Sequence, residues 1–175
     1  EDRDNFLYLT ERYEGKLLRY IKRISGASQE EAEDILQEIF LKVYINIHSF
    51  DPSLKFSSWI YRIAHNHIIS RFRKKKARPQ QVVLDVESDF LNNIASELDI
   101  KKEMDQKFLE QNINKILAEM DLKYREVLIL SFLEGRNYNE ISDILKKPMG
   151  TVATLINRAK KQFRQKLEEK NINLN

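Results

Sequence analysis

The chain has 175 residues, enough for one ordinary domain or two small ones. Its 42% hydrophobic and 33% charged content is that of a folded globular protein, and no apolar run approaches the roughly 20 residues of a membrane span. The absence of cysteine excludes disulfides, thiolate zinc sites and thiol catalysis, four Gly and three Pro disfavour a turn-rich strand architecture, and a net charge of +3 leaves any nucleic-acid case to the placement of charge.

Leu7, Tyr13, Leu17, Tyr20, Ile21 and Ile24 recur at largely helical spacing, which predicts a helix over Phe6 to Ile24, with Gly15 as its weak point and Ser25 and Gly26 at its end. Ser28 followed by Glu31 is a capping-box pattern and starts a second helix, about Gln29 to Ile47. Its core stripe is Ala32, Ile35, Leu36, Ile39 and Val43, and Asp34, Gln37, Glu38, Leu41 and Ile45 fall opposite. Two aliphatic residues among carboxylates either touch a neighbouring helix or form the apolar centre of a partner-binding patch.

Ser49 to Lys55 is a loop around Asp51 and Pro52. A third helix is predicted over Ser57 to Lys75, on which Trp59, Arg62, Asn66, Ser70 and Arg73 align at steps of three and four. Such a stripe can stack and hydrogen-bond separated bases; alternatively Trp59 is core and the polar groups line a solvated edge. The basic run Arg71, Arg73, Lys74, Lys75, Lys76 and Arg78 beside it suits a phosphate backbone. His65 and His67, two apart on a helix, point to nearly opposite sides and cannot share a metal. No cofactor and no catalytic constellation is read.

After Pro79 the composition turns acidic, with Asp85, Glu87, Asp89, Glu97, Asp99, Glu103, Asp105 and Glu110, which predicts a mobile linker. The division is therefore an N-terminal helical domain over residues 1–78, an acidic linker over 79–107 and a C-terminal domain over 108–175, in an all-α chain. Ile113, Ile116, Leu117 and Met120 make one helix of the last domain, and Val127 to Leu133 another, ending at Gly135.

Asn139 to Leu167 reads as a helix-turn-helix. Ile141, Ile144 and Leu145 form a short helix that stops near Lys147 before Pro148; Gly150 lets the chain turn and Thr151 restarts it. In the second helix Val152, Ile156, Ala159, Phe163 and Leu167 share one face, and Thr154, Asn157, Arg158 and Lys161 the other. From Lys146 to Lys170 the charge is overwhelmingly basic, as a helix lying in a major groove requires.

Three segments together carry a resemblance. Ala32 to Phe40 (AEDILQEIF), Phe56 to Asn66 (FSSWIYRIAHN), and Tyr138 to Ile141 (YNEI) with Gly150 to Val152 and Arg158-Ala159 resemble, in order, signatures of the bacterial sigma-seventy family, in particular its extracytoplasmic-function (ECF) group. The resemblance implies a non-catalytic, bacterial cytoplasmic subunit that binds core RNA polymerase and directs it to promoters. It implies a polymerase-docking surface at Asp34, Gln37, Glu38 and Leu41. It implies minus-ten recognition and melting by Phe50, Lys55, Trp59, Arg62, Asn66, Arg73, Lys74 and Lys75, with the Ser49 to Lys55 loop and Asn66 forming a pocket for a flipped base. It implies minus-thirty-five recognition by Thr151, Thr154, Asn157, Arg158 and Lys161. It further implies regulation by an anti-sigma protein and no membrane insertion. Ala153 and Leu155 stand where many members carry a basic residue, Ser70 where Asp is frequent and His65 where Arg is frequent. The rival readings are a helix-turn-helix regulator that binds duplex DNA alone and an interaction protein with no DNA role.

Overall fold

The computed structural model describes residues 2–75, Ser96 and residues 106–170. Helices α1 (Asp2–Ser25), α2 (Gln29–Asn46) and α3 (Phe56–Lys75) form an N-terminal group, and α4 (Gln106–Glu119), α5 (Leu122–Leu128), α6 (Tyr138–Leu145) and α7 (Met149–Glu169) a C-terminal one. The predicted linker, 79–107, lies outside the described residues except for Ser96 and its last two residues, which open α4.

Each N-terminal helix is fixed by local chemistry at its ends and an apolar stripe between them. α1 runs through Gly15 and is stopped at Gly26, whose φ of 63° is free of the Cβ clash other residues meet there. Across the turn, Ser28 Oγ accepts from the Glu31 amide at 3.2 Å, and the Ser28 amide donates to Glu31 Oε2 at 3.3 Å. Both halves of the expected capping box are thus present, satisfying donors that the first turn of α2 would leave open. Ser28→Ala should therefore cost about 1 kcal/mol of stability, read as a lower midpoint in urea unfolding at unchanged slope. Tyr20, Ile21 and Ile24 of α1, Ile39 and Val43 of α2 and Ile60, Ala64 and Ile68 of α3 close the core of this group. Leu7, read with the α1 stripe, is instead 53% exposed, nearly two turns before the buried Tyr13.

In the C-terminal group Ile113, Ile116, Leu117 and Met120 are buried as expected. After α5 the helix widens into π-type turns over Ile129–Leu133, where the Glu134 amide donates to Ile129 O at 3.0 Å and the Arg136 amide to Leu130 O at 2.9 Å. Gly135, with φ of 59°, ends it. Val152, Ile156, Ala159, Phe163 and Leu167 of α7 are all buried, against α4, α5 and α6. Emptying the Phe163 site by substitution with Ala would cost about 3–5 kcal/mol, enough to unseat the helix.

The two groups also pack on one another, α3 against α6 and α1 against α5 and the π-type turns. Two carboxylates that sequence patterning leaves to solvent, Glu126 and Glu134, accept hydrogen bonds across the junction from Tyr20, Arg23 and Tyr61.

Candidate nucleic-acid interface

The turn between α6 and α7 differs from its sequence reading in a way that sets the start of the second helix. Asn137 Oδ1 accepts from the Glu140 amide at 3.0 Å, and the Asn137 amide donates to Glu140 Oε2 at 3.0 Å, a capping box the sequence reading passed over. α6 is then ended by Lys146, whose φ of 52° makes it the left-handed residue of the turn. The Ser142 hydroxyl ties the turn down by donating to Lys147 O at 2.6 Å. Pro148 sits at the N-cap of α7, with its carbonyl accepting from the Thr151 and Val152 amides at 2.9 and 3.0 Å. Gly150 is therefore inside the first turn of α7, not the pivot before it, and a Cβ placed there meets nothing within 4 Å.

With one face of α7 buried, Thr151, Thr154, Asn157, Arg158 and Lys161 are exposed together on the other. The Thr154 hydroxyl donates to Gly150 O at 2.8 Å, so toward solvent it offers its lone pairs and methyl group. Asn157 offers an amide and Arg158 a planar donor fork, the groups suited to purine edges in a major groove.

On the N-terminal group, Phe50, Phe56 and Trp59 form an aromatic cluster with centroids 5.2–5.4 Å apart, and Tyr13 closes on Phe56 at 5.6 Å. Trp59 is 5% exposed. Burial decides its open reading for the core: the ring supports the loop and does not stand out as a stacking platform. The loop itself is pinned by Asp51, whose Oδ1 accepts from the Ser53 amide at 2.9 Å and whose carbonyl accepts from the Leu54 amide at 3.0 Å. The bond from Ser53 holds the Asp51 carboxyl below its usual range. Beside this cluster Arg62 is half-buried, while Asn66, Ser70 and Arg73 are exposed in line along α3. Lys55 is exposed and donates to Glu140 Oε1 at 3.3 Å. Lys74 and Lys75 end α3, with side chains outside the described ones, as are Lys76 and Arg78.

The third surface is on α2. Asp34, Gln37 and Glu38 are exposed, Leu41 is 60% exposed and Ile45 66%, so neither aliphatic side chain is buried against a neighbouring helix. Tyr44, which the sequence reading missed, joins them at 58% exposure, its ring 5.2 Å from that of Phe6 on α1. Glu38 faces α3, accepting from Arg71 Nη1 at 2.9 Å with His67 Nε2 at 2.8 Å from its other oxygen.

The two α3 histidines point to different elements: His67 to Glu38 on α2, and His65 to Glu126 on α5 at 2.6 Å. Burial and then Lys42 push the His67 imidazole below its ordinary 6.5, outweighing Glu38. Because the unfolded chain takes up that proton first, the His67 contribution to stability is complete above about pH 6.5 and is lost as pH falls through the lower folded value. Thermal unfolding should accordingly shift downward in mild acid, with a shallower pH dependence in His67→Gln. Identical slopes for the two proteins would remove His67 as the cause.

Residues 9–78 match the family described as sigma-70 region 2, and residues 110–163 the one described as sigma-70, region 4. The ECF RNA polymerase sigma factor SigW of Bacillus subtilis is 34% identical over 175 residues, covering 96% of this chain and 91% of the relative. The RNA polymerase sigma-H factor of Pseudomonas aeruginosa is 29% identical over 174 residues, covering 95% and 88%. Among solved structures, the sigma factor RpoE in complex with the anti-sigma factor NepR from Bartonella quintana superposes with a TM-score of 0.71 at 19% identity, covering 94% of this chain and 97% of that one.

Proposed function

Because the chain belongs to the sigma-70 family, among its ECF members, we propose a division of labour among its three surfaces. As a sigma factor it is a non-catalytic subunit that binds core RNA polymerase and directs promoter-specific initiation. In our reading, Thr151, Thr154, Asn157, Arg158 and Lys161 of α7 read the minus-thirty-five duplex. Phe50, Lys55, Arg62, Asn66 and Arg73, with Lys74 and Lys75, grip the separated minus-ten strand, and Trp59 holds their loop from behind. Asp34, Gln37, Glu38 and Leu41, joined by Tyr44 and Ile45, dock on polymerase.

The observation that carries this reading is the clean division of α7, whose five apolar residues are buried while the five side chains suited to DNA stand in solvent. A helix held this firmly can enter a groove without paying for reordering. Because the RpoE structure was solved with an anti-sigma factor, we extend that kind of partner to this chain. We place its activity in the bacterial cytoplasm, with the polymerase; no described helix is long and apolar enough to cross a membrane.

The test is transcription in vitro with core enzyme and a randomised promoter library. Selected templates should carry two separated sequence blocks, the upstream one altered in Arg158→Ala. Selection of duplex sites by the chain alone, with no change on adding core enzyme, would instead favour a stand-alone helix-turn-helix regulator.

A further inference from the structure

Thr154 stands on the exposed face of α7, between the leading end of the helix and Asn157, and its hydrogen bonding decides which of its groups a base can meet. The hydroxyl donates to Gly150 O at 2.8 Å, so its proton is committed inside the helix and χ1 is held in the rotamer that reaches the carbonyl one turn back. What faces outward is an oxygen with lone pairs and the Cγ2 methyl group. One turn earlier Gly150 has no side chain, and the space a Cβ would take there is open. A base edge can therefore approach the Thr154 methyl from the N-terminal end of α7. From Met149 to Asn157 no side chain is charged, and the first guanidinium on this face belongs to Arg158, one turn beyond Thr154.

We infer that Thr154 selects an A·T pair in the upstream promoter element by packing its methyl group on the 5-methyl group of thymine. The inference rests on the proposed reading of α7 as the helix that meets the minus-thirty-five duplex, where the N-terminal residues of a recognition helix reach base edges. Thymine alone among the four bases presents a methyl group in the major groove, whereas guanine presents two acceptors. Turning the Thr154 proton to guanine O6 would exchange one hydrogen bond for another, since that proton already has Gly150 O. Methyl on methyl displaces only water, and the gain needs no new hydrogen bond.

The neighbouring side chains divide the other edges. Asn157, at i+3 from Thr154, carries the amide pair that fits adenine N6 and N7, and Arg158, at i+4, the fork that fits guanine O6 and N7. Thr154 is thus the residue of the three that reads by apolar contact. Its rotamer is already fixed in the free chain, so little order is lost when the contact forms.

The test removes single methyl groups from the DNA. In duplex templates carrying the upstream element selected by library transcription, each thymine on either strand is replaced in turn by deoxyuridine, which leaves every hydrogen-bonding edge intact. Closed-complex formation by the full chain with core polymerase is then measured by competition against the unmodified duplex. Wild type is expected to lose about fourfold at one thymine or more, the factor that one buried methyl group carries. In Thr154→Ser, which keeps the hydroxyl and lacks the methyl, such a position should become indifferent to the replacement. In Thr154→Val, which keeps a methyl and lacks the hydroxyl, the loss should persist. A hydroxyl that served only the helix would give the reverse, with Thr154→Ser behaving as wild type and Thr154→Val impaired on all templates alike. Replacement without effect at every thymine, a loss undiminished in Thr154→Ser, or thymine preference abolished in Thr154→Val as fully as in Thr154→Ser overturns the inference. Arg158→Ala on the same templates keeps the two readings apart. If it alters the upstream preference while deoxyuridine is silent, only the methyl contact falls; if it alters nothing, the reading of α7 falls and the contact with it.

Discussion

Leu41→Ala combined with Ile45→Ala should weaken binding to core RNA polymerase by about 2 kcal/mol or more, roughly thirtyfold in Kd, while leaving helicity and unfolding midpoint nearly unchanged. Both side chains are mostly in solvent in the free chain and lie opposite the stripe that packs α2. Their loss therefore opens no cavity. With Tyr44 they form an apolar centre, and Asp34, Gln37 and Glu38 supply a polar rim, the anatomy of an anchored protein interface. Substituting Glu38 is a poorer test. Its carboxylate holds Arg71 and neighbours His67, so its removal would disturb the α2–α3 seam and the basic end of α3 together. Titration of fluorescently labelled chain with core enzyme measures the effect. Affinity equal to wild type in a folded double variant would take this patch out of the polymerase interface.

Local periodicity made most of the helices legible, and non-local pairing hid the junction between them. The buried face of α7 follows from Val152, Ile156, Ala159, Phe163 and Leu167 alone, because a step of 3.6 residues leaves few other ways to bury them. The Ser28 capping box is likewise written in four consecutive residues. Trp59 was ambiguous for a physical reason: an aromatic residue on an amphipathic helix has the same spacing whether it packs on Phe50 and Phe56 or stacks on a base. The α6–α7 turn misled differently. Pro148 and Gly150 are strong turn signals, yet the left-handed residue is Lys146, whose type carries no mark of it. Glu126 and Glu134 were the least legible, since a carboxylate's ordinary place is in water. Their partners Tyr20 and Arg23 lie 106 and 111 residues away, with nothing in either local pattern pointing to the other.

Arg158→Ala and Asn66→Ala should fail at different stages of initiation. Arg158 stands on the exposed face of α7, where a bidentate hydrogen bond to a base edge is worth about 1–3 kcal/mol of discrimination. Its loss should reduce closed-complex formation on promoters with a matched upstream element and flatten the preference among upstream variants, with Asn157→Ala acting in the same sense. Asn66 is exposed on α3, in line with Arg62 and Arg73 and on the helix that packs beneath the pinned Phe50 loop. In that position its amide can hold the Watson–Crick edge of a base taken out of the stack. Asn66→Ala should form closed complexes nearly as well as wild type and accumulate them, with strand opening impaired. A template unpaired across the minus-ten element already has the melting cost removed, so it should recover part of the activity while base selectivity at the extruded position stays poor. Permanganate footprinting on duplex and pre-melted templates separates the two steps. If Asn66→Ala lost closed complexes as severely as Arg158→Ala and gained nothing from the pre-melted template, strand separation would have to be assigned away from this face of α3.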